Sequence, residues 1–200
     1  MLTPPWWEEA KSGLAARDPV LAGIISKHPG VSLRRTSDPF STLARSIVGQ
    51  QISVKAAETV WGRFVGLLGE VTPGAVLCCE ELRSCGLSAR KAEYLKDLAQ
   101  HFDGGRFDGW DRLPDEDLIR LLTTVRGIGR WTAEMFLIFQ ALRPDVLPLD
   151  DIGLQRAIRL HYGEMLGRAE MKEIAGIWSP WRSVATWYLW RSLDPVPVEY

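Results

Sequence analysis

Two glycines at alternate positions, Gly127 and Gly129, and a pair of aspartates about twenty residues further on, Asp150 and Asp151, are the residues whose types and spacing suit chemistry. Glycine lets the backbone take φ > 0 or approach a ligand closely. The run that follows, Arg130-Trp131-Thr132-Ala133, reads as the first turn of a helix whose free N–H groups point back over the glycines. A helix N-terminus beside glycines is an anion site, and phosphate is the obvious anion. Asp151 follows Pro148-Leu149 and opens another helix. A carboxylate there is held ionised by the helix dipole and by backbone donors, which suits an electrostatic catalyst. Each feature alone also has an ordinary structural reading, because aspartate is a common N-cap and glycine pairs mark plain turns.

The elements that must position these residues read as helices. Leu118, Ile119, Leu121 and Leu122 give one apolar face before the hairpin, and Asp115, Glu116 and Asp117 sit in that helix's first turn, where the dipole favours acids. Upstream, Asp18-Pro19 is a cap and first-turn pair. Phe40, Leu43, Ala44, Ile47 and Val48 keep helical spacing up to Gly49, and Gln50-Gln51-Ile52 forms a short break. Ser53 caps a helix bearing Val54, Ala57, Val60, Trp61, Phe64 and Leu68 on its periodic face, while Thr72-Pro73 and Ser88 open two more. Beyond Asp151 the pattern predicts helices over about 152–162, about 169–177 and Pro180–Ser192, the last capped by Ser179. No stretch alternates as a strand does, so the expected class is all-α.

Composition narrows the function classes. With 46% hydrophobic and 24% charged residues the chain is an ordinary globular one, sized for one domain or two closely packed lobes. It shows no signal pattern and no apolar run of roughly 20 residues, so a cytoplasmic protein without membrane attachment is expected. Cys78, Cys79 and Cys85 are too few and too clustered for a disulfide framework or an iron–sulfur cluster. A formal net charge of −1 argues against coating nucleic acid by bulk electrostatics. A local basic face from Arg126, Arg130, Arg143, Arg156, Arg159 and Arg182 stays open. Of nine tryptophans, Trp131 and Trp181 fall beside motif residues, whereas Trp61, Trp178 and Trp190 read as core.

The run LTTVRGIGRWTAEMFLIF, followed by LPLDDIGLQRAI, resembles the helix–hairpin–helix Gly/Pro/Asp (HhH-GPD) superfamily of DNA base-excision glycosylases, and most of all its 3-methyladenine DNA glycosylase II branch. Residues 44–55, ARSIVGQQISVK, resemble the wedge region of that branch, and residues 179–185, SPWRSVA, its C-terminal tryptophan motif. The resemblance implies a two-lobed helical fold with the active-site cleft between the lobes. Lobe one would span about 39–143 and hold the hairpin, and lobe two about 1–38 plus 144–200, in a compact form without the branch's extra N-terminal α/β domain. It implies a monomer acting on double-stranded DNA with Asp151 as the catalytic carboxylate and Asp150 secondary. Trp131, Trp181, Gln50 and Met135 would line the base pocket, and Gln51 would fill the gap left by the flipped nucleotide. Amides of Gly127, Gly129 and Thr132 would hold a DNA phosphate, and carbonyls of Thr123, Val125 and Ile128 a structural Na+ or K+. No catalytic cofactor is implied. Two positions depart from some relatives: Gln51 stands where they have an apolar wedge, and Met135 where they have an aromatic residue.

The implied reaction is hydrolysis of the N-glycosidic bond of alkylated bases. A base inside a duplex must be extruded first. Cleavage builds an oxocarbenium-like sugar cation that an ionised Asp151 stabilises, and an alkylated base leaves neutral, without a strong general acid. Relatives that also cut the strand place a Schiff-base lysine just after the hairpin, where this chain has Trp131, so a monofunctional enzyme is expected. The alternatives are a glycosylase of the same fold for deaminated, etheno or mismatched bases, a non-catalytic hairpin module that only holds phosphates, and a tryptophan-rich interaction domain without DNA affinity.

Overall fold

A computed structural model describes residues 3–35 and 38–193. Among them all regular structure is helical: α1 (Trp7–Arg17), α2 (Pro19–Lys27), α3 (Pro39–Gly49), α4 (Val54–Leu68), α5 (Pro73–Cys78), α6 (Ala89–Asp103), α7 (Asp115–Leu122), α8 (Arg130–Phe139), α9 (Ile152–Tyr162), α10 (Arg168–Gly176) and α11 (Arg182–Leu193). No helix of the described residues is long and apolar enough to cross a membrane. The chain divides into two compact units, Met1–Thr36 with Leu137–Glu199, and Ser37–Phe136. We call them unit 1 and unit 2.

The helices begin where side chains can take up their orphan amides. Asp38, Ser53, Thr72 and Ser88 each accept from the N3 amide of the following helix. In unit 2 the aromatic rings of Phe40, Phe102 and Phe107 pack in sequence, with Phe64, Leu95 and Leu98 fully buried. This core fixes α6 under the hairpin that joins α7 to α8.

Unit 1 is built around a buried carboxylate. Asp18 caps α2 through Oδ1, which accepts from Val20 N at 2.9 Å and Leu21 N at 3.1 Å. Its Oδ2 accepts from Tyr162 Oη at 2.6 Å and Trp178 Nε1 at 2.9 Å. Four donors make burial of this group tolerable. Burial, and then the bond to Asp18, push the Tyr162 hydroxyl far above its ordinary range, so it stays a donor. The last helix starts at Arg182, two residues later than the sequence pattern suggests. Ser179 is not its cap: Oγ donates instead to Asp145 Oδ2 at 3.0 Å.

Candidate active site

The hairpin lies wholly in unit 2. Thr124 N and Val125 N donate to Leu121 O and Leu122 O, ending α7 in a tight turn, and Ile128 N donates to Val125 O at 3.1 Å. Gly127 has φ of +85°, and a Cβ there would fall 2.1 Å from Tyr94 Cδ2. Only glycine fits. Gly129 differs, because a Cβ on it would meet nothing within 4 Å. Its bareness leaves room for something outside the chain. No described residue accepts from the amides of Gly127, Gly129 or Thr132, so the three N–H groups assigned to a phosphate are unspent.

No described residue donates to the carbonyls of Thr123 or Ile128, and Val125 O keeps one lone pair. Backbone carbonyl oxygens are the ligand type a hard cation prefers.

The Gln50-Gln51 loop is tied to the hairpin. Gln50 Nε2 donates to Gly127 O at 2.8 Å, so its amide braces the turn. Lys91 Nζ donates to Val48 O at 2.7 Å, anchoring the end of α3, and burial pushes this amine below its usual range. Gln51 between these anchors is exposed with φ of +57°, a left-handed conformation that non-glycine residues adopt at a cost of about 1–3 kcal/mol. Trp131, in the first turn of α8, exposes 37% of its surface, whereas Met135 one turn on exposes 3%.

In unit 1, Asp151 caps α9: its Oδ1 accepts from Leu154 N at 2.6 Å. The same oxygen accepts from Trp190 Nε1 at 2.8 Å. A Cβ on Gly153 would sit 3.1 Å from Asp151 Oδ1 and 3.4 Å from Trp190 Cδ1, so glycine keeps this contact open. Trp190 is stacked on Phe139 with ring centroids 5.9 Å apart and planes at 10°. Asp150 faces away to an exposed ion pair with Arg168, which separates the two aspartates chemically.

Trp181 lies elsewhere in unit 1, stacked on Trp6 at 5.8 Å and close against Gly13. The neighbouring Arg182 and Ser183 explain the motif better. Arg182 donates from N, Nε and Nη2 to the Asp145 carboxylate at 3.2, 2.7 and 2.9 Å. Ser183 Oγ accepts from Val146 N and donates to Arg143 O. The first turn of α11 thereby sews down the loop that leads to Asp151. Burial raises the Asp145 carboxyl, but the Arg182 and Ser179 donors together hold it below the usual carboxylate range.

Sequence reasoning missed Trp190, Lys91 and Tyr94. Trp190 lies in a helix that is apolar on most sides, and nothing local separates a donor indole from a packed one. Of the six arginines of the basic face left open by the sequence, three are paired with acids: Arg126 with Glu93, Arg130 with Glu116 and Glu134, and Arg182 with Asp145.

Residues 44–182 match the model of the HhH-GPD superfamily base excision DNA repair proteins. The chain belongs to this superfamily. Among HhH-GPD relatives, the DNA-3-methyladenine glycosylase 1 of Schizosaccharomyces pombe is 36% identical over 194 residues, covering 90% of this chain and 84% of the relative. The crystal structure of a DNA-3-methyladenine glycosidase from Bacillus halodurans superposes with a TM-score of 0.85 at 34% identity, covering 97% and 93% of the two chains. The S. pombe 3-methyladenine DNA glycosylase Mag1 in complex with abasic DNA superposes with a TM-score of 0.81 at 30% identity, over 95% and 100%.

Proposed function

We infer that this HhH-GPD protein is a monofunctional DNA glycosylase of base excision repair that flips alkylated bases from duplex DNA, excises them hydrolytically and leaves an abasic site. The observation that carries the reading is the Asp151 carboxylate, fixed by Leu154 N–H and Trp190 Nε1–H in a chain of this superfamily. A carboxylate preorganised in this way stabilises the oxocarbenium-like charge that appears as the glycosidic bond breaks. Relatives named for 3-methyladenine support the substrate class. An alkylated purine is cationic before cleavage and neutral after it, so it needs an electron-rich wall more than an acid.

In unit 2 the exposed Trp131 offers an electron-rich face with Met135 packed behind it, and in unit 1 Trp190, which touches Asp151, takes the wall role expected of Trp181. Gln50 acts by bracing the loop that presents Gln51 to the gap left in the stack. The unspent amides of Gly127, Gly129 and Thr132 grip a phosphate of the lesion strand, and a Na+ or K+ on the carbonyls of Thr123, Val125 and Ile128 would add positive charge beside it. Trp131 stands where a Schiff-base lysine would be needed for strand cleavage, so the product strand stays intact.

The test is incubation with a methylated duplex, chromatography of the released bases, and strand analysis with and without alkali. Release of 3-methyladenine and 7-methylguanine with nicking only after alkali is expected. Nicking without alkali contradicts the monofunctional reading. Equal binding of methylated and intact duplexes without base release would identify a non-catalytic module.

A further inference from the structure

Beside the hairpin, at the start of α6, lies an open pocket of about 610 Å³ lined by Ala89, Arg90, Glu93, Tyr94, Arg126 and Gly127. All of it belongs to unit 2. Its floor is formed where the Tyr94 ring packs directly on Gly127. Its charged groups are two guanidiniums and one carboxylate. Arg126 is held from behind by its own amide, which donates to Asp97 Oδ2 at 2.8 Å, while its Nη2 donates to Glu93 Oε2 at 3.1 Å. Both side chains of that pair are more than half exposed, at 60% and 58%. Arg90 is exposed and makes no ion pair or side-chain hydrogen bond among the described residues. Gly127, whose amide has no acceptor among the described residues, belongs to both the pocket and the hairpin.

We propose that this pocket receives a second DNA phosphodiester, adjacent to the one gripped by the hairpin amides. Arg90 and Arg126 form its cationic walls, and Glu93 is the anion that DNA displaces from Arg126. The planar guanidinium fork matches phosphate oxygens, and a wet, open, charged recess has little to offer an apolar ligand. An exposed ion pair contributes little to stability, so exchanging Glu93 for a phosphate is easy. Glu93 then acts as a brake on indiscriminate DNA binding, which suits a chain whose net charge is −1. The proposal rests on the reading that the hairpin holds DNA backbone.

The experiment measures fluorescence anisotropy of a duplex carrying one abasic-site analogue against salt concentration, for wild type, R90A, R90K and E93Q. Single-turnover excision from methylated duplex at saturating enzyme is measured alongside. Loss of one phosphate contact lowers the magnitude of the salt slope by about 0.9, which is expected of R90A together with roughly tenfold weaker binding at low salt. R90K keeps the slope. E93Q binds several-fold tighter than wild type, and excision at saturation is unchanged in all three variants. An R90A protein with wild-type slope and affinity, or an E93Q protein that binds no tighter, overturns the pocket while leaving the glycosylase reading intact. A wild-type protein that fails to bind the duplex overturns both.

Discussion

Asp151 and Trp190 meet at a single oxygen. The indole N–H donates to the Oδ1 that also caps α9, so catalysis and helix initiation share one carboxylate atom. Trp190→Phe keeps an aromatic ring on Phe139 and removes only the donor. A hydrogen bond to a charged group contributes about 1.5–3 kcal/mol, so single-turnover excision by W190F should fall roughly ten- to hundredfold, with thermal unfolding little changed. Excision at the wild-type rate would show that Trp190 does not position the carboxylate. The capping place of Asp151 was legible in the sequence because a helix-opening aspartate after Pro148-Leu149 is a local property, whereas its catalytic role was implied only by the family resemblance. Trp190 was not legible, since its meaning depends on which side chain α11 brings to α9. Trp181 stands next to Arg182 and Ser183, the residues that fasten the loop before Asp151.

At the level of the hairpin, two glycines with one spacing do different work. Gly127 has φ of +85° and lies under the Tyr94 ring, so Gly127→Ala should cost at least about 2 kcal/mol in urea unfolding through backbone strain and overpacking. Gly129 has open space around it, so Gly129→Ala should leave the unfolding midpoint nearly unchanged and weaken duplex binding measured by anisotropy. Equal stability losses in the two variants would contradict this division. The alternate spacing was readable as a turn with an anion site, and helix starts at Asp38, Ser53, Thr72 and Ser88 carry their caps in sequence. The partner of Gly127 comes from α6, more than thirty residues earlier, which no periodicity reveals.

For the molecule as a whole, hydrophobic periodicity correctly indicated helices, and composition gave a formal net charge of −1. It did not reveal that arginines near the hairpin and at the start of α11 are already paired with acids. One consequence is acid sensitivity. The Asp145 carboxyl lies below its ordinary value near 3.9, so its contribution is present above that value and is lost as pH falls below it through the lower folded value. His161 is pushed below its ordinary value near 6.5 by burial and by Lys27. The unfolded chain therefore takes up that proton first, and stability begins to decline as pH drops below about 6.5. Denaturant midpoints between pH 7 and pH 3 should fall in both windows, and Asp145→Asn should flatten the lower one. An unchanged profile in D145N would remove Asp145 from the account.

The most direct test of the central claim uses Asp151→Asn. Asparagine caps helices about as well as aspartate, so α9 and the fold are retained while the negative charge is lost. Removing one preorganised electrostatic group costs about 10²- to 10³-fold. Single-turnover release of methylated bases by D151N should fall by at least 10²-fold, with duplex affinity within a few-fold of wild type. Release at the wild-type rate by a correctly folded D151N protein would contradict the assignment of Asp151 as the catalytic carboxylate.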